Sequence, residues 1–99
     1  MSIEIELQEE ARLAILKELS KEENKAISSS RMQSILLARL LIDKPREWIE
    51  LQYAYLRDMQ AVTIVEADTV KIARLTARGE HHLKGIIQIA GVMVPTIRG

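Results

Sequence analysis

The chain has no cysteine and no phenylalanine, only two prolines and four glycines, three aromatic side chains, and no formal net charge. Without cysteine there can be no disulfide, no thiolate metal site and no cysteine nucleophile, which fits a cytoplasmic protein. Without phenylalanine the core must be aliphatic, built from Leu, Ile, Val and Met. The longest apolar run is four residues, far short of the ~20 needed to span a bilayer. The start, Met1-Ser2-Ile3-Glu4-Ile5-Glu6, is acidic where a secretory signal would be basic and then apolar. A cytoplasmic location and no membrane partner are therefore expected. The glycines, Gly79, Gly85, Gly91 and Gly99, are too dispersed to form a phosphate-cradling loop. A zero net charge gives nucleic-acid binding no help from the global field.

What is present is enough for one small globular domain. Hydrophobic residues make up 47% of the 99 residues and charged ones 28%, a balance that folds rather than stays disordered. A core of this size is often supplemented by oligomerisation. The charge is unevenly spread. Residues 1–24 hold seven acids against Arg12, Lys17 and Lys21, a net of −4, which leaves +4 for residues 25–99. This is either a solvated acidic first helix or an acidic face held away from a mildly basic binding face.

Apolar spacing predicts a helix from about Glu4 to Ser20, with Ala11, Ile15, Leu16 and Leu19 on one stripe and Ile3 and Leu7 extending it backwards. Lys21 to Lys25 form a polar break. Ser28, Ser29 and Ser30 offer hydroxyl caps for a second helix. Its stripe is Met32, Ile35, Leu36 and Leu40, while Leu37, Leu41 and Ile42 make it apolar on more than one side, as in a central or interfacial helix. Asp43 is placed to cap a third helix, with Pro45 in its first turn. Trp48, Ile49, Gln52, Tyr55, Leu56 and Met59 share one side of that helix. Arg46, Glu47, Glu50, Ala54, Arg57 and Asp58 share the other, with Leu51 and Tyr53 at the borders. Val62–Val65 and Val70–Leu75 are rich in β-branched residues and read as two strands around a turn at Glu66-Ala67-Asp68. Thr76 caps a last helix that runs to about Lys84 and ends at Gly85. An apolar tail broken by Gly91 and Pro95 follows, either a strand, an arm packed on the body or a segment exchanged with a partner.

The expected fold class is α+β, mainly α: a winged helix-turn-helix of three helices, a two-stranded β-hairpin wing, a C-terminal helix and an extended tail. Its domain would span residues 1–85, with an apolar C-terminal arm at 86–99. Ala11 to Leu19 is similar to the first helix of many small winged-helix proteins, and Leu75-Thr76-Ala77-Arg78-Gly79 resembles the junction after the wing of many bacterial regulators. Together with Arg46-Glu47-Trp48-Ile49, Tyr55-Leu56 and Gly91-Val92-Met93-Val94-Pro95, the chain resembles a family of small winged-helix proteins of Mu-like phages and prophages. That family has no assigned activity. The resemblance covers nearly the whole chain and implies a winged-helix fold and a phage context. Two departures stand out. Gln60-Ala61 replaces the usual Gly-Leu after the third helix, and Met93-Val94 replaces basic residues before the proline.

A winged helix reads DNA with its third helix in the major groove and its wing on the backbone or minor groove. The candidate DNA contacts are Arg46, Glu47, Glu50, Arg57, Lys44, Lys71 and Arg74. Arg46 suits a guanine, and Glu47 or Glu50 a cytosine amine. Arg39 is a further cation that would offset their charge. The same charges also read as the solvated side of a core helix, with Arg46 and Glu50 as an i,i+4 pair. Trp48 and Tyr55 fit a core better than a stacking platform for bases. His81 and His82 are adjacent and point to different sides of a helix, so they do not chelate a metal together. Glu66 and Asp68 lie on an exposed turn, without the enclosure that acid–base work needs. No catalytic residue, metal or cofactor is expected. The apolar surplus (Ile3, Ile5, Leu37, Leu41, Ile42, Ile86, Ile87, Ile89, Val92, Val94 and Ile97) predicts an interface. A homodimer through Leu37, Leu41, Ile86, Ile87, Ile89 and Val92 is expected, the alternative being arms that fold back on their own body. The expected partners are duplex DNA or another phage protein. The alternative function is a protein-interaction module that keeps the winged-helix scaffold without binding DNA.

Overall fold

Ser2 starts the first helix. Its hydroxyl accepts a hydrogen bond from the Glu4 N–H, so the helix begins before the main apolar stripe does. The computed structural model describes residues 2–96, and Ile97 of the apolar surplus lies outside them. The elements are α1 (Ile3–Lys21), β1 (Ala26–Ser28), α2 (Ser29–Leu40), α3 (Arg46–Asp58), β2 (Val62–Ala67), β3 (Val70–Leu75) and α4 (Ala77–Leu83).

The expected two-stranded hairpin is the larger part of a three-stranded antiparallel sheet ordered β1-β3-β2. The sequence assigns no element to Ala26 and Ile27 and reads Ser28 only as a cap. Three residues are too few to show an alternation. They become a strand because Lys25, at φ 60°, turns the chain so that Ile27 pairs with Ala73. The hairpin itself is longer than expected, since Ala67 pairs with Val70 across a two-residue loop of Asp68 and Thr69.

α1 buries Ala11, Leu13, Ala14, Ile15, Leu16 and Leu19. That is wider than one stripe, because α2, α3, α4 and β3 all pack against it. The Ser28 hydroxyl caps α2 by accepting from the Arg31 N–H. At the other end Leu41 takes a left-handed conformation (φ 56°) and is 85% exposed. The reversal turns Ile42 into the core, so Ile42 is not spare surface. Asp43 does not cap α3. Pro45 occupies the N-cap with no side-chain bond, and its carbonyl accepts from the N–H groups of Trp48 and Ile49.

α3 buries Ile49, Gln52, Tyr53 and Leu56. Tyr53 is wholly enclosed rather than at a border, and its hydroxyl donates to the carbonyl of Ile27 at 3.0 Å. That bond ties α3 to β1, and leaves the phenol satisfied in an apolar place. α3 ends in a Schellman motif: the Gln60 N–H donates to Arg57 O and the Ala61 N–H to Leu56 O. The left-handed position is filled by Gln60 at φ 64°. α4 ends the same way with Gly85 at φ 75°, after Thr76 has capped its start through the Gly79 N–H.

The tail, as far as Thr96, folds back on the body. Ile89 and Val92 are 2% and 5% exposed within the chain's own core, so in this fold they offer no surface to a second copy. The Met93 N–H donates to Glu9 O of α1 at 3.2 Å, and three side chains also hold the arm. His82, fully buried, accepts the Ile89 N–H at Nδ1 and donates from Nε2 to Met93 O at 2.9 Å. Tyr55 donates to Ala90 O at 2.8 Å. Arg12 donates to Gly91 O, Gln52 and Gln8 while its guanidinium lies 3.6 Å from the Tyr55 ring centroid. Burial pushes the Arg12 guanidinium below its ordinary pKa, with the Tyr55 and Glu9 charges opposing. Such a flat, five-donor group suits a three-way junction.

Candidate nucleic-acid interface

The surface that would meet DNA is assembled at one buried hydroxyl. Ser29, fully enclosed in the first turn of α2, donates to Glu50 Oε2 of α3 at 2.7 Å. It also accepts the Lys71 N–H of β3 at 3.2 Å. The start of α2, the middle of α3 and the turn end of the hairpin are thereby locked together. In the sequence the serine run reads only as a cap, because the partners of Ser29 are 21 and 42 residues away.

With one side of α3 in the core, its outward ridge is Glu47, Leu51, Ala54 and Asp58, at helical spacing. Leu51, expected at a border, is 67% exposed in the middle of that ridge. Glu47, Arg57 and Asp58 are exposed as expected, while Arg46, Glu50 and Ala54 are half-buried. Glu50 turns inward to Ser29. Arg46 lies along it with Nε 3.6 Å from Glu50 Oε2, an ion pair without a hydrogen bond, and that Nε is buried with no hydrogen-bond partner.

The other candidate cations are also near carboxylates. Arg57 meets Asp58 at 3.3 Å, Lys71 meets Glu66 at 3.9 Å, and Lys44 meets Glu4 at 3.8 Å. Hydrogen bonds from Trp48 and Gln8 hold the Glu4 carboxyl below its ordinary range, with a smaller contribution from Lys44. Lys44 also lies 5.5 Å from the Trp48 ring centroid. Arg39 pairs with Glu18 of α1 at 2.6 Å, which occupies it away from α3. Arg74 is exposed on the solvent side of the sheet, opposite in sense to buried Ala73 and Leu75, and has no carboxylate within 4.0 Å among the described residues. So the Ser29 junction gathers Arg46, Glu50 and the start of β3 at Lys71, with Glu47 beside Arg46 and Lys44 just before α3, while Arg57 lies in the last turn of α3 beside the Val62 end of the hairpin and Arg74 stands on a different face.

Of the expected interface residues, Leu37 and Leu41 are exposed one turn apart at the end of α2, Ile86 is exposed past α4, and Ile87 is half-buried. Ile89 and Val92 are core, as described. Among the described residues, no group of three or more His, Asp or Glu side chains is arranged to hold a metal ion. No helix of the described residues is long and apolar enough to cross a membrane.

No protein-family model matches the chain, and no curated protein matches it. A solved structure of a winged-helix DNA-binding protein from STIV superposes with a TM-score of 0.60, at 20% sequence identity, over 87% of each chain. The chain thus has the winged-helix fold.

Proposed function

We propose that this is a non-enzymatic, duplex-DNA-binding winged-helix protein of a phage or prophage, acting in the host cytoplasm as a regulator or as an accessory to phage DNA processing. The observation that carries the reading is the Ser29 junction. It fixes α2, α3 and the hairpin in the arrangement by which such domains lay the third helix in the major groove with the wing beside it. The similar solved structure is that of a DNA-binding protein, and the resemblance to Mu-like phage proteins supports the phage context. Arg46 in the first turn of α3 is the base-reading candidate, with Glu47 beside it. Arg57, Lys71 and Lys44 would leave Asp58, Glu66 and Glu4 for phosphates, and each exchange lowers the net gain. The expected affinity is therefore modest and strongly salt-dependent.

The test is a fluorescence titration with mixed-sequence duplex at about 50 mM and then 200 mM salt, where several phosphate contacts should cost orders of magnitude in affinity. Reversal of charge at Arg46 should abolish binding. Absence of binding by the wild type at the lower salt refutes the proposal.

A second reading, a protein-interaction module, is favoured by one observation: Leu51 stands exposed in the centre of the α3 ridge between Glu47 and Asp58. A leucine flanked by acids suits an apolar and basic protein surface better than a phosphate backbone. This reading predicts no DNA binding at either salt concentration, and loss of the partner on Leu51→Asp.

A further inference from the structure

The directions of the backbone groups in the sheet can be worked out from two hydrogen bonds. The Lys71 N–H donates to Ser29 and the Leu75 N–H to Lys25 O, both on the β1 side of β3. Because backbone groups alternate along a strand, Lys71, Ala73 and Leu75 face β1, and Val70, Ile72 and Arg74 face β2. Their partners on β2 are Ala67, Val65 and Thr63. Ile64 and Glu66 therefore turn their N–H and C=O groups outward, to the free edge of the sheet, as does Val62 at its start. Among the described residues no backbone or side-chain group meets those of Ile64 and Glu66.

Natural edge strands are usually blunted by a lysine, a proline, a bulge or a cover. The β2 run Val-Thr-Ile-Val-Glu-Ala has no lysine and no proline, and it pairs with β3 in unbroken register. Beside its first half lies an open groove of about 510 Å³ lined by Arg57, Gln60, Val62, Thr63, Ile64 and Thr76. Arg57 is thus the cation at the Val62 end of the edge. Glu66 is the anion at the far end, its side chain 76% exposed and only 3.9 Å from Lys71 at best.

We infer that β2 is a self-pairing edge, where a second copy of this chain adds its own β2 antiparallel to form a six-stranded sheet across a twofold axis. Charge complementarity selects this occupant. With Ile64 opposite its own counterpart, Glu66 of each chain falls opposite Val62 of the other, on the face of the sheet that Arg57 lines. The two ends of one strand are then complementary to each other, as an isologous interface requires. Directly opposed residues on neighbouring antiparallel strands share a face, so the two Glu66–Arg57 contacts form together with the new backbone hydrogen bonds. The inference does not depend on the DNA-binding proposal.

The test is sedimentation equilibrium of the purified chain across a concentration series, with circular dichroism to show that each variant is folded. A concentration-dependent monomer–dimer equilibrium is expected. Glu66→Arg and Arg57→Glu should each raise the dimer dissociation constant by about tenfold or more, replacing attraction by repulsion at two symmetric contacts. The double variant should recover most of that loss. Ile64→Pro removes one outward N–H without touching the β3 ladder and should give a monomer. A wild type that is monomeric throughout the series, or a dimer that neither the single reversals nor Ile64→Pro weakens, would overturn the inference. So would a double variant no tighter than the singles. A β2 edge that instead takes a strand from another protein gives the monomeric outcome.

Discussion

Gln60→Gly should stabilise this protein. Gln60 holds the left-handed position of the Schellman motif that closes α3, at φ 64°. There the side chain of an L-residue crowds the following carbonyl at a cost of roughly 1–2 kcal/mol. Glycine removes that cost but gains freedom in the unfolded chain, worth about 0.5–1 kcal/mol the other way. The net is a gain of about 0.5–1 kcal/mol, because the Gln60 N–H to Arg57 and the Ala61 N–H to Leu56 are backbone bonds that glycine keeps. For a domain of this size that is an increase in melting temperature of about 2–8 °C. α4 supplies the internal control, since Gly85 fills the equivalent position with the same pair of bonds. Gly85→Gln should lower the melting temperature by a similar amount. Both variants are measured by thermal and urea denaturation. A fall in stability for Gln60→Gly would show that the exposed glutamine side chain, rather than the backbone, governs this helix end, and the reasoning would fail.

Other consequences follow from the same geometry. Gly91→Ala should destabilise by about 2–4 kcal/mol in urea denaturation, because a Cβ there overlaps the Tyr55 hydroxyl at a position with φ 79°, displacing the ring that Arg12 and Ala90 hold. Ser29→Ala should cost about 1–3 kcal/mol, since it strands the half-buried Lys71 N–H and takes a donor from Glu50. If DNA binding holds, it should also weaken that binding at unchanged net charge. Burial, reinforced by the Glu50 charge, pushes the Tyr53 phenol well above its ordinary pKa. Its contribution to stability is therefore complete below the unfolded value near pH ~10 and is lost as pH rises past it. Denaturation measured at successive pH values above that point should show a steeper loss in wild type than in Tyr53→Phe, and equal slopes would refute the assignment.

Local signals were legible wherever the partner of a group lies close in the chain. Ser28 and Thr76 cap the helices they precede. The strands at Val62 and Val70 announce themselves by β-branching, and Gly85 ends α4. The Arg46–Glu50 pair is also local, four residues apart on one helix. Signals failed where the partner is distant. β1 is too short to show a period, and becomes a strand only because β3 is there to pair with it. Asp43 has the chemistry of a cap, but Pro45 sits nearer the helix and closes it with its carbonyl. Leu51 and Tyr53 both lie near the boundary of the α3 wheel, and only the packing of β1 and α2 decides that Tyr53 is enclosed and Leu51 is not. Among the candidate contacts, the residue types and their helix were readable. That Glu50 turns in to Ser29, and that Arg74 faces away from the hairpin's Lys71, were not.

By itself the sequence determined the order of the three main helices and the hairpin, a core that is aliphatic apart from Tyr53, and the absence of cysteine chemistry. Those properties depend on composition and on periods of two or 3.6 residues, which need no knowledge of the rest of the chain. Only the tertiary structure decided what the apolar surplus is for. Ile42, Ile89 and Val92 fill the core once Leu41 reverses the chain and His82, Tyr55 and Arg12 bring the tail back, while Leu37, Leu41 and Leu51 remain outside. A hydrophobic side chain carries the same transfer free energy in every case. Whether it is spent inside one chain or left for a partner depends on contacts tens of residues apart in sequence, and those exist only in the folded molecule.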